Sequence, residues 1–437
     1  MDVAYQDKVL GCLSSLMSQN TSSYTPFQKL AWQRLEQKGL PQKNQEAFQY
    51  VSLRKLYESF LEPKKPALIT KQDISSLLLP ECQSSYIVFQ DGVFCPDLSS
   101  IPSSFVVFSL EDALKSSYAV FLKHRLQASI EKEEDPWALV NAALCKQGVF
   151  IYVPPKVQEK APIQVLHLQS DPSISYAGPR MHLCLGAHAS ICMVSSFSSY
   201  EGSSTVYNDF LDVSLEESSS FSHVFTTEKP CFSWGLSAFR ASLKKESKLH
   251  SYFATFGSPG FRRDYSVALL GERAEAHLNG LTALDARAES HIHVHMDHSA
   301  PSCQSRQFFK NILAEQSRSS FTGKIYVRRP AQKTEAYQLN QNLLLSDLAT
   351  ANTKPNLEIF ADDVKASHGA TVAQIDEDQL FYLRARGIPC LAAKGLLTMG
   401  FCQEILESIP VLSLRNTLSL WCRSFLLEQR ENDATSS

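Results

Sequence analysis

The sequence predicts a mainly β fold: a right-handed parallel β-helix (β-solenoid) core, flanked by an amino-terminal helical and α+β region and a carboxy-terminal helical domain. Three observations lead there. Between about 162 and 372 short strand-type alternations dominate and prolines are few. Within that span one pattern recurs: LGAHASICM from Leu185, LEESSSFSHVF from Leu215, LKKESKLHSYF from Leu243, LGERAEAHLNG from Leu270, LDARAESHIHV from Leu284 and LAEQSRSSFTG from Leu313. Each copy has an aliphatic residue, three polar or small ones, Ala or Ser, then alternating apolar residues. The spacings are 30, 28, 27, 14 and 29 residues, which a period near 28 with a half-period near 14 accounts for. A fixed period of this size built from strands alone is the mark of a solenoid; evenly spaced short strands could also make a sandwich, but the recurring turn favours the coil. Finally, the pattern changes period inside 355–387, PNLEIFADDVKASHGATVAQIDEDQLFYLRARG. Leu357, Ile359 and Val364 alternate, whereas Asp376 and Gln379 cap a helix carrying Leu380, Phe381, Leu383 and Arg384 up to Gly387.

Three regions follow, at 1–160, 161–374 and 375–437. In the first, Pro26 opens a helix with Phe27, Leu30, Ala31, Arg34 and Leu35 at three- and four-residue steps, closed by Gly39-Leu40-Pro41. A second helical segment runs from Phe48 to Phe60, and PKKPA after it reads as a linker. Tyr86 to Phe94 is a hairpin turning at Asp91-Gly92. Phe105 to Phe108 is a short strand, Glu111 to Ser129 a helix, Pro136 to Ala143 a helix, and Gly148 to Val153 a strand. Beyond the repeats, Ala392 to Leu406 and Val411 to Leu427 are helices separated by Pro410.

At 437 residues the chain has ample length for a core, and its formal charge of −3 gives no reason to expect nucleic acid or an anionic membrane as a partner. No apolar run reaches the roughly 18 to 20 residues of a membrane helix. Met1-Asp2 opens without a basic leader, and Val9-Leu10-Gly11-Cys12 matches a lipoprotein box without its long apolar segment. Eleven scattered cysteines with no Cys-x-x-Cys pair fit reduced thiols in a cytoplasm.

Two places could carry metal chemistry. His291, His293 and His295 project from one face of a strand at about 7 Å intervals, with His298, Asp297 and Cys303 nearby. Imidazoles so spaced can share an ion in a metal-dependent β-fold enzyme; on a solenoid's outer face they can equally be solvated. His368 lies just before the switch from strand to helix, where a lone histidine is ordinarily a turn residue. Asp362 and Asp363, read as neighbours on one strand, point to opposite faces and cannot act together on one substrate. There is no phosphate loop, no Ser-His-Asp order and no Gly-x-Ser-x-Gly elbow. A solenoid polysaccharide lyase would be exported. The chemistry reads as scaffold.

LLLSDLATANTKPNLEI with ADDVKASHGAT (Ala361 to Thr371), DHSAPSCQS, FTGKIYV and AQKTEAYQLNQNLLLS resembles the SufB/SufD family of iron–sulfur cluster assembly proteins, from roughly residue 140 to 407. Within it the SufD-like branch is nearer: SufB-like chains carry a sulfur-accepting cysteine where Asn340 stands and a glutamate where Gly369 stands. Ala366 departs from a common family cysteine, and Phe48-Gln49-Tyr50 replaces Trp-Lys-Tyr. The resemblance implies a non-catalytic scaffold whose solenoid pairs with a SufB-like subunit and whose carboxy-terminal helices dock a SufC-like ATPase. SufS and its helper would supply sulfur indirectly. It also implies transient iron or a nascent cluster at the pair interface, with His368 as the metal-binding residue and no tightly bound cofactor. An interaction-only solenoid remains the alternative beside the metal enzyme.

Overall fold

Coil corners explain the repeat. A computed structural model of the chain describes residues 3–17, 24–61, 74–171, 173–199, 205–228, 233–257 and 259–435; the PKKPA linker lies outside them. Leu185, Leu215 and Leu243 end strands with their side chains fully buried. Three residues later His188, Ser218 and Glu246 take left-handed φ of 56–61°, which turns the chain through the corner. The next position must be small because it packs inside the bend: Ala189, Ser219 and Ser247 are all buried. Where it is serine, its hydroxyl donates back to the turn, Ser219 Oγ to Glu216 O and Ser247 Oγ to Lys244 O, both 2.7 Å. Ala and Ser are therefore interchangeable there.

Two such corners make one coil. Leu284 and Leu313 sit at the opposite corner, in register with each other and with Leu344, which is why the half-period appears. At the fourth copy the buried aliphatic is Leu269, paired with Leu243; Leu270 is 54% exposed. One extra residue in that bend shifts the sequence match by one position.

About seven coils result. One sheet runs from Val93–Phe94 and Tyr86–Gln90 through Ile163–Gln169 to Val364–Ala373; the other runs from Val106–Ser109 and Val149–Val153 to Thr350–Ile359. Pairing between coil strands is parallel, for example Gly260–Leu269 with Glu289–His298. At the first end both sheets close with antiparallel pairs, Tyr86–Gln90 with Val93–Phe94 and Val106–Ser109 with Val149–Val153. Asp91 (φ 52°) and Gly92 (φ 81°) make the hairpin turn that their sequence predicts. Phe221, Phe225, Phe253, Phe261, Tyr265, Phe309 and Phe321 fill the lumen, each worth about 1.5–3 kcal/mol of burial.

The amino-terminal helices cover the outer face of the second sheet. Thr25–Lys38 ends at Gly39 (φ 76°), and Phe60 stacks on Trp137 with ring centroids 5.5 Å apart. The segment read as a helix from Phe48 is a short 3₁₀ turn, Glu46–Phe48, followed by the helix Leu53–Leu61. The span 111–129 also divides, into Leu110–Ala113 and Ala119–Lys132, because the Ser116 hydroxyl accepts from the Tyr118 N–H and closes a local turn between them.

Carboxy-terminal helices Cys390–Ser408 and Leu412–Thr435 pack Cys402, Ile405, Leu418 and Cys422 onto Tyr252, Phe256, Leu281 and Ile312 of the first sheet. Lys310 ties the first of them down through Phe401 O and Glu404, both at 2.9 Å. No described helix is long and apolar enough to cross a membrane.

Candidate functional site: the open end of the coil

The last coil, Thr350–Ile359 and Val364–Ala373, terminates both sheets, and most of its residues are exposed or only half-buried. His368 sits in the middle of the final strand, not in a turn. Side chains alternate along a strand, and Val364 and Ala366 pack against the core, so His368 shares their inward direction. With no further coil over it, the imidazole is exposed. It makes no hydrogen bond among the described residues.

Beneath His368 the lumen turns from apolar to polar. Its register partner one coil back is Gln338, and behind that lies Gln307, each 2% exposed. Gln338 Nε2 donates to Gln307 Oε1 at 2.7 Å, leaving Gln338 Oε1 and Gln307 Nε2 without partners. Gly323 on the facing sheet makes room for this amide: a Cβ there would lie 2.1 Å from Gln338 Nε2.

Asn340 is fully buried in the neighbouring column, opposite Ala370. Its Oδ1 accepts from Asn342 Nδ2 at 2.8 Å, and Asn342 Oδ1 accepts from Asn311 Nδ2 at 2.7 Å. Ala366 pairs with Ala336 and faces inward, whereas Gly369 faces outward against Leu339. The amide columns went unnoticed in the sequence, although coil spacing brings Gln307, Gln338 and His368 into one line.

His291, His293 and His295 do share the outer face of one strand, but His291 and His293 are each engaged by their own partners, and His295 makes no hydrogen bond among the described residues. Between Glu289 Oε2 at 2.9 Å and Ser320 Oγ at 2.7 Å, His291 stacks over Trp234 under the amino-terminal helices. His293 Nδ1 is 2.8 Å from Asp264 Oδ2. Burial pushes the Asp264 carboxyl up, but Arg240, Arg262 and His293 outweigh it and hold it well below the usual carboxylate range. Asp297 accepts from Arg328, and Cys303 is buried in the lumen. Among the described residues no three His, Cys, Asp or Glu side chains are placed to hold a metal ion. Nor are Asp362 and Asp363 on a strand; they lie in the loop before the final one, where the Asp363 N–H donates to Gln332.

Comparison with known proteins bears on this architecture. The model of the SUF system FeS cluster assembly SufBD core domain matches residues 167–401, and that of the SufBD protein N-terminal region matches 12–165. The chain belongs to the SufB/SufD family. Among SufB/SufD relatives, an iron–sulfur cluster assembly SufBD family protein of Synechocystis sp. is 29% identical over 395 residues, covering 87% of this chain and 86% of its own. The iron–sulfur cluster assembly protein SufD of Escherichia coli is 28% identical over 382 residues, 86% of this chain and 87% of the relative. A chloroplastic protein of Arabidopsis thaliana, ABCI7, is 28% identical over 426 residues, 92% and 87% respectively. The chain is thus a SufD-like member of an iron–sulfur cluster assembly family, close to the chains named SufD.

Proposed function

We propose that this chain is a SufD-type, non-catalytic scaffold subunit of a SufB–SufC–SufD assembly, and that His368 holds iron or a nascent cluster in transit. The observation that carries this reading is the asymmetry of the coil: its first end is closed by antiparallel strands, while its last coil is left open with a free imidazole at the mouth. An uncovered strand edge invites pairing, and a SufB-like solenoid is the partner whose own strands match it. A neutral imidazole binds iron through one ring nitrogen, and Asn340 supplies no thiol, so sulfur arrives on the partner. Iron and cluster are cargo here, acquired at the subunit interface.

The carboxy-terminal helices offer a second surface. Phe381, Tyr382, Leu412 and Leu420 are 72%, 58%, 61% and 60% exposed, which fits docking of a SufC-like ATPase. ATP-driven movement of that partner would shield or open the site at His368 by favouring different arrangements. SufS and its helper act on the partner, not on this chain. Ten described cysteines are all free thiols, in keeping with a reducing compartment such as the cytoplasm.

The test is co-expression with SufB-like and SufC-like subunits, followed by anaerobic loading with iron and sulfide. His368→Ala is expected to leave the complex intact while cluster content falls several-fold. Wild-type cluster content in the variant removes the ligand role and leaves an interaction-only subunit.

A further inference from the structure

We propose that His250 and His277 form a divalent transition-metal site on the outer face of the first sheet, separate from His368 and independent of the cluster-assembly reading. The two residues lie directly opposite each other on adjacent parallel strands, Lys248–Phe256 and Glu275–Leu284. Their flanking residues Leu249, Ala276 and Leu278 are fully buried in the lumen, so alternation turns both imidazoles outward. The ring centroids are 4.9 Å apart with planes at 60°.

That separation is compatible with a shared ion. With zinc–nitrogen bonds of about 2.0–2.1 Å and a further ~1.2 Å to each ring centre, a common ion at the tetrahedral angle sets the centroids about 5.3 Å apart, and at a right angle about 4.6 Å. The observed spacing falls between. It needs no strand movement, since register and coil spacing already fix it.

Free ring nitrogens are a further requirement, and among the described histidines that meet it only His250 and His277 face each other across adjacent strands. Of the twelve histidines, His167, His182, His223, His291, His293 and His298 each place a ring nitrogen against a protein partner. His250 and His277 are half-buried yet make no hydrogen bond among the described residues. Burial holds both rings below the ordinary imidazole range, His277 at about 4, so both are neutral ligands at neutral pH. Along the same outer column Ser222 lies beside His250 and Arg306 beside His277, the latter drawn over the Tyr337 ring at 5.9 Å. Glu275 is taken by Lys248 at 3.0 Å. Two imidazoles therefore supply the protein ligands, and water completes the shell. Nitrogen ligands of this type suit Zn²⁺, Ni²⁺ and Cu²⁺, with Cu²⁺ bound most tightly.

Untagged chain carrying His368→Ala provides the test, because the interface histidine then plays no part. Titration with Zn²⁺ against a chromophoric chelator is expected to show one site whose affinity falls at least tenfold in either His250→Ala or His277→Ala, and is unchanged in His188→Ala, an exposed ring elsewhere. Cu²⁺ electron paramagnetic resonance should report two imidazole nitrogens in the parent and one in each single variant. Should an alanine variant fold poorly, His250→Asn and His277→Asn carry the same measurements. Zn²⁺ affinity insensitive to both positions, or Cu²⁺ bound by a single nitrogen in the parent, overturns the proposal.

Discussion

Buried imidazoles give the chain a definite acid response. Burial pushes His167 down to about 3; it also lowers His182 to about 4, against the pull of Asp212, and His298 to about 4. In the unfolded chain these rings titrate near 6.5. Between about pH 6.5 and 4 the unfolded state thus binds protons that the folded state refuses, so stability rises with pH and is lost on acidification through that window. Each ring contributes on the order of 1–3 kcal/mol. Asp209 acts with the opposite sign: burial raises its carboxyl to about 6, so its cost is relieved as the pH drops below that value. Burial lowers His223 in the same direction and raises the Asp135 carboxyl in the other; the lowered rings outnumber the raised carboxyls, and the thermal midpoint is expected to fall steadily from pH 7 to 4.5. His298→Gln, which takes up no proton beside Ser305, should flatten that slope. A midpoint independent of pH over this range would sink the argument.

At the scale of the element, the corner rule separates two adjacent leucines. Leu269 is fully buried and in register with Leu243, while Leu270 projects from the bend. Leu269→Ala should cost about 2–5 kcal/mol and Leu270→Ala within about 0.5 kcal/mol, read from chemical-denaturation midpoints. Equal losses would mean that the coil register is wrong. This pair also marks how far the sequence can be read. Aliphatic, turn and small residue recur because every corner imposes the same geometry, so the solenoid is legible in the sequence. A one-residue insertion in a bend leaves the pattern intact but moves its phase. Environment was less legible still. Spacing places His291, His293 and His295 on one face, yet cannot tell that Ser52 and Lys55, far away in sequence, close over Glu289 beside them. The position of His368 depended on strand length: the run to Ala373 is long enough to carry it mid-strand. The matching histidines in LKKESKLHSYF and LGERAEAHLNG, seven places into each copy, were the visible sign of the His250–His277 pair.

The whole molecule is a rod with one finished end. Its first coil is closed by antiparallel strands, and the amino-terminal helices lie along the side of the second sheet, anchored by Arg262 over the Phe48 ring at 4.2 Å and Arg240 on Glu133 at 2.7 Å. Its last coil leaves Val372 46% exposed and Ala370 open, on the inward face shared with His368, because no further coil covers the mouth of the lumen. An unpaired edge of this kind is an aggregation hazard that a partner must cover. Ala370→Glu with Val372→Glu places two carboxylates at the open mouth of the lumen, where a partner would cover the last coil. The isolated chain should keep its denaturation midpoint within about 0.5 kcal/mol, because both sites are already in solvent. Co-purification with a SufB-like subunit should be lost, since burying unpaired charge at a partner edge costs several kcal/mol. The two experiments on this end then divide cleanly: His368→Ala removes a ligand and leaves pairing, whereas the double glutamate removes pairing and with it cluster content. If the double variant still pairs, the open coil is not the docking edge, and the partner must contact the chain along its side.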